Sequence, residues 1–85
     1  MKVRMILNNK EYTREGINAG DYEEFTDIRN MVNPEGDYNR EDIENIRKGL
    51  SIAFGGQVTP EELKQADVTE LIYQFMAVDA LIAAG

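Results

Sequence analysis

The sequence predicts a mainly helical α+β fold, with an N-terminal β-hairpin followed by three to four helices. Three observations carry the prediction. Near the start, Val3, Met5 and Leu7 alternate with Lys2, Arg4 and Asn8, the period of a half-buried strand. From Asp21 onward, apolar residues recur three and four positions apart, the period of an amphipathic helix. The strand-like residues precede the helical ones and never alternate with them, which argues against βαβ units.

The hairpin is assigned to residues 1–15. Asn8-Asn9 is its two-residue turn, because Asn tolerates the positive φ that a type I′ turn requires. The return strand holds Glu11-Tyr12-Thr13-Arg14, with Tyr12 and Thr13 suited to a sheet. Ile6 breaks the alternation and suggests that the second face is not fully wetted. An isolated hairpin is marginal, so its apolar face is expected to pack on helices or join a neighbour's sheet.

The helical part is assigned to residues 21–85. Residues 16–20 read as a loop. A first helix opens at Asp21, places Tyr22, Phe25, Ile28 and Val32 on one side, and ends near Asn33, because Pro34 disfavours helical geometry before it. Pro34-Glu35-Gly36-Asp37 has the composition of a turn. Asn39 caps the second helix, with Tyr38 and Ile43 as a hydrophobic staple, and Ile43, Ile46, Leu50, Ala53 and Phe54 form its apolar side. Gly49 inside this run has two readings: a weak point of about 1 kcal/mol relative to Ala, or a close helix–helix approach that excludes a Cβ.

Residues 54–63 form a helix–break–helix joint. Phe54 ends the apolar run. Gly55 and Gly56 can adopt the left-handed conformation that closes a helix. Thr59 is an N-cap, Pro60 suits the first helical position, and Glu62 completes a capping box flanked by Val58 and Leu63 as a staple. A short helical turn follows to about Gln65. Asp67 then caps a last helix, with Glu70 in the capping-box position and Ala66 and Leu71 as staple. Val68, Leu71, Phe75, Val78 and Ile82 line one face of it, and Ile72, Met76 and several alanines widen that face. A helix apolar on most of its circumference requires burial on most sides. It is either the central helix of the fold or an oligomer or partner interface in its last turns, and both can hold together. The interface candidates are Leu71, Ile72, Phe75, Met76, Val78 and Ile82.

With 85 residues the chain is expected to form one domain, 1–85. A core this small gains no support from disulfides, since there is no Cys, and this favours a homo-oligomer or a stabilising partner. Sixteen acidic against nine basic residues give a net charge of −7, which argues against nucleic acid and against an anionic membrane surface. The charge is uneven, with basic residues concentrated in 1–14 and acidic ones in 15–45. This is either a solvated acidic face or a dipolar protomer whose basic end meets an acidic neighbour. No secretory leader pattern and no apolar run of about 20 residues is present, so a cytoplasmic protein is expected.

Chemistry is hard to assemble from these residues. His is absent, and with it the commonest general base and metal ligand. Ser51, the one serine, sits in a helix with no His to activate it. Gly55-Gly56 lacks the Gly-Lys-Ser/Thr ending of a phosphate loop. Asp37, Asn39, Glu41, Asp42 and Glu44 lack calcium-loop spacing, and acids at a helix N-terminus account for them. The expectation is a non-enzymatic protein without cofactor or metal.

The run Phe54-Gly55-Gly56-Gln57-Val58-Thr59, followed by Glu61-Glu62-Leu63, Asp67 and Glu70-Leu71-Ile72, resembles tail assembly chaperones of long-tailed, siphovirus-type phages and prophages of Gram-positive bacteria. The opening Met5-Ile6-Leu7-Asn8-Asn9-Lys10-Glu11 is also similar to the start of such chains, with Asn9 replacing the usual Gly. The likeness covers residues 1–15 and 43–78. It implies a non-catalytic, self-associating assembly factor that coats the tape measure protein while the tail tube polymerises. It also implies a longer frameshifted form that recruits the tail tube protein, this chain corresponding to the short form, in the cytoplasm of the host. The alternative is a small acidic adaptor or inhibitor module that binds a single globular protein.

Overall fold

The structure, a computed structural model, describes residues 2–84. Strands β1 (Val3–Leu7) and β2 (Lys10–Arg14) pair antiparallel, and helices α1 (Ala19–Met31), α2 (Arg40–Ala53) and α3 (Val68–Ala84) follow, with a 3₁₀ turn at Glu62–Gln65 between α2 and α3. The predicted α+β, mainly helical order is the observed one.

Register follows from the turn. Asn8 and Asn9 take φ of 53° and 64°, the two positive values of a type I′ hairpin. Leu7 then opposes Lys10 and Met5 opposes Tyr12, so Val3, Met5 and Leu7 all face the core and are buried. Ile6 lies on the other face and is half exposed.

Helix α1 starts two residues before the expected position. Asn18 is its N-cap, and its Oδ1 accepts from Asp21 N–H at 2.8 Å. Gly20 therefore lies in the first helical turn, not in a loop. Tyr22 is largely exposed, contrary to its assignment to the apolar side, whereas Phe25, Ile28 and Val32 are buried. The helix closes at Met31 with Val32 as cap.

Helix α2 carries a full capping box: Asp42 N–H donates to Asn39 Oδ1, and Asn39 N–H donates to Asp42 Oδ2. Asp42 Oδ1 also accepts from Asn33 N–H. This buried carboxylate thus ties the end of α1 to the start of α2. Gly49 is a close-approach glycine. A Cβ there would stand 3.0 Å from Phe75 Cε1, 3.5 Å from Ile28 Cγ2 and 3.6 Å from Phe25 Cε1, so all three helices converge on the missing side chain.

The joint after α2 is a Schellman closure. Gly56 N–H donates to Ser51 O and Gly55 N–H to Ile52 O, both at 3.0 Å, with φ of 82° and 62° at the two glycines. Thr59 and Glu62 exchange both bonds of a capping box, and the staple residues Val58 and Leu63 are buried. Pro60 precedes a 3₁₀ turn where an α-helical one was expected. Long-range bonds immobilise this joint. Gln57 Nε2 donates to Thr13 O at 2.8 Å, Arg47 to Pro60 O at 3.0 Å, and Arg14 to Ile52 O at 3.1 Å. Arg14 also pairs with Asp21 at 2.9 Å. Its cation therefore sits at the negative end of α2 while it holds an acid in the first turn of α1.

One core joins the apolar face of the hairpin to all three helices and the joint. Phe25 and Phe75 stack at its centre with ring centroids 5.7 Å apart, and Tyr12 meets Phe54 edge-on at 6.3 Å.

Candidate interaction surface

Helix α3 begins at a side-chain cap: Glu70 N–H donates to Asp67 Oδ2. The return half of the expected box is not made. Glu70 Oε1 instead accepts from Asn8 N–H across the fold. Asp67 thus starts α3 while Glu70 fastens it to the hairpin turn.

The proposed interface residues divide sharply. Leu71, Phe75, Val78 and Ile82 are all buried within the protomer and belong to its core; of the four, Phe75 alone lines the groove described below. Their spacing of three and four points inward because hairpin, α1 and α2 together cover that stripe. Ile72 is half-buried against the core. Met76 is exposed. Val68, expected on the buried face, is also exposed. The outward surface of α3 carries Val68, Tyr73, Met76 and Leu81 at 50, 70, 59 and 42% exposure, along with Ala80 and Ala84. Three of its polar side chains, Glu70, Gln74 and Asp79, are engaged with other elements: Gln74 Oε1 accepts from Ile6 N–H at 3.4 Å, and Asp79 faces Arg29 at 3.6 Å.

A groove of about 480 Å³ runs between the C-terminal turn of α1, the turn at residues 33–38 and the middle of α3. Val32 and Phe75 form its apolar floor, with Tyr38, Pro34, Met76 and Ala80 on the walls. Arg29 and Asp79 stand at one side as a loosely closed pair. Arg29 Nε is buried and has no hydrogen-bond partner among the described residues, a deficit of about 1–3 kcal/mol for a donor left unpaired. Sequence reasoning found Phe75 and Met76 but not Arg29, Tyr38 or Asp79 as neighbours. The interruption of an apolar helix by Asp79 was the one available signal.

The joint residues Phe54, Gly55, Gly56, Thr59, Pro60 and Glu62 contribute nothing to this groove. The cradle formed by the two glycines is closed by Arg14, whose guanidinium lies 3.4 Å from where a Cβ of Gly55 would be. Of the acids at 37–44, Asp42 caps the start of α2 and Glu44 pairs with Arg40 on one helical face. Among the described residues no helix is long and apolar enough to cross a membrane.

The geometry defines an α+β domain with an apolar helix surface and an adjoining groove. Comparison with protein-family models, with curated proteins and with solved structures finds no match to this chain.

Proposed function

We propose that this protein is a non-catalytic assembly chaperone of the phage tail type, which self-associates and binds the tape measure protein during tail assembly. One observation supports the reading above the others. Helix α3 keeps Tyr73, Met76 and Leu81 exposed although its opposite face already builds the core. Exposed apolar surface on one helix suits helix-in-groove binding of an elongated helical client. The net charge of −7 favours dispersal of the chaperone itself while it shields an aggregation-prone client. The likeness of residues 1–15 and 43–78 to phage tail assembly chaperones supplies the choice of client, with the tail tube protein as a further partner.

The test is co-expression with tape measure proteins of phages infecting Gram-positive hosts, followed by affinity capture and sedimentation. A stoichiometric complex that keeps the client in solution is expected, together with concentration-dependent self-association of the free protein. A strict monomer that captures none of several tape measure proteins overturns the reading. The acidic face of α1, with Glu23, Glu24 and Asp27 exposed, favours the second reading, an adaptor or inhibitor of one globular partner. That reading predicts a one-to-one complex with a basic globular protein.

A further inference from the structure

The groove beside α3 has a character that the exposed helix surface alone does not define. Its floor is apolar and its volume of about 480 Å³ falls within the roughly 300–1,000 Å³ typical of binding clefts. Two helices border it, so a third helix can lie along it at the usual ridge-and-groove spacing. Met76 on its wall and Met31 near the end of α1 are both strongly exposed, and unbranched thioether side chains adapt to apolar surfaces of differing shape. The charged lining is balanced, with Asp79 facing Arg29 at 3.6 Å, and the acidic excess lies at the rim, on the turn between the lining residues Pro34 and Tyr38. Asp79 lies on the α3 wall, and the turn that forms the opposite wall carries Glu35 and Asp37, both exposed and outside every ion pair among the described residues. Arg29 is the sole cation among the lining residues.

We infer that the groove between α1, the 33–38 turn and α3 receives an amphipathic helix of a partner protein whose apolar stripe is flanked by Lys or Arg. The apolar stripe covers Val32, Phe75 and Met76, and the basic flanks meet Glu35 and Asp37 at the rim. This rests on the chaperone reading and deepens it by naming the client feature that is recognised.

The probe is a fluorescent peptide of about 18 residues, some 27 Å long as a helix, with a leucine stripe and lysine flanks. A second peptide keeps the stripe and carries glutamate flanks. Anisotropy titrations are expected to show the lysine-flanked peptide binding at least roughly tenfold tighter. Ala80→Trp adds bulk to the groove without changing charge and leaves the core untouched, since Ala80 is exposed. It is expected to weaken binding by about tenfold, and Met76→Trp serves as the second obstruction should Ala80→Trp fail to fold by circular dichroism. Glu35→Lys with Asp37→Lys is expected to abolish the preference between peptides. Equal binding of both peptides to the wild type, or undiminished binding by folded groove variants, overturns the inference. Loss of self-association in Ala80→Trp with unchanged peptide binding also overturns it, and gives the groove to a second copy. The same variants are then tested against tape measure proteins. Peptide selectivity without client capture defeats the chaperone reading alone, whereas client capture indifferent to Ala80→Trp defeats the groove alone.

Discussion

The joint at residues 54–63 and the groove beside α3 are built on opposite terms. At the joint, polar groups from four elements find partners. The glycine N–H groups close α2, Thr59 and Glu62 satisfy each other, Arg14 and Arg47 reach in from the hairpin and α2, and Gln57 reaches out to Thr13 of the hairpin. At the groove, the ion pair is long, one buried donor is unpaired, and methionine faces solvent. A region with its hydrogen bonds completed from within contributes to stability and has little left to offer a ligand. A region left incomplete costs stability and retains the capacity to bind. On these terms the joint is architecture, and the groove is where the helix proposed above would dock.

The most severe break of that contrast is Phe75→Asp, because Phe75 is both core and groove floor. Burying the charge is expected to exceed the roughly 5 kcal/mol available to a small domain, and a thermal scan should lose its cooperative transition. Leu71→Asp and Ile82→Asp should behave alike, since both side chains are buried. A folded, cooperative Ile82→Asp would return the helix end to the interface. Asp42→Ala comes next. It leaves the N–H groups of Asn33 and Asn39 without their acceptor, at about 2–3 kcal/mol by urea unfolding, and should loosen the acidic wall of the groove.

Arg14→Met is expected to cost about 1–2 kcal/mol through loss of the α2 terminus bond and the Asp21 pair. A double-mutant cycle with Asp21→Ala measures the coupling, and peptide binding should stay unchanged. Thr59→Ala should cost about 1 kcal/mol, again without effect on binding. Met76→Ser has the smallest effect on stability, within about 0.5 kcal/mol, yet should weaken peptide binding measurably. Binding defects from the joint variants, or none from Met76→Ser, would erase the division between the two regions.

Local chemistry was legible and distant chemistry was not. The Asn8-Asn9 turn, the Asn39 cap and the Thr59–Glu62 box are decided by residues within a few positions of each other, so spacing alone reveals them. Arg14 could not be read, because its partners on α2 lie 38 and 39 positions away. The early start of α1 was missed because Gly16 and Gly20 look like loop residues, while Asn18 supplies the cap that brings Gly20 into the first turn. Gly49 showed both its possible roles in the sequence, and only the meeting of Phe25, Ile28 and Phe75 around it separates them. Of the groove, the sequence showed an apolar helix end with one acid, Asp79, after Gln74. Which side of that helix faces inward depends on how α1 and the hairpin lie against it.

The two bonds from α3 to the hairpin bear on how copies of this protein can grow into larger assemblies. In a hairpin closed by Leu7 and Lys10, the N–H groups of Ile6 and Asn8 point away from β2, along the outer border of β1. Gln74 and Glu70 occupy them. The opposite border, on β2, is short, charged at Lys10, Glu11 and Arg14, and engaged at Thr13 by Gln57. Strand-by-strand stacking, the route to fibrils, is thereby obstructed at both borders. Any contact between copies of this chain is thereby directed to its helices, where it would be made through side chains and not through a shared backbone ladder.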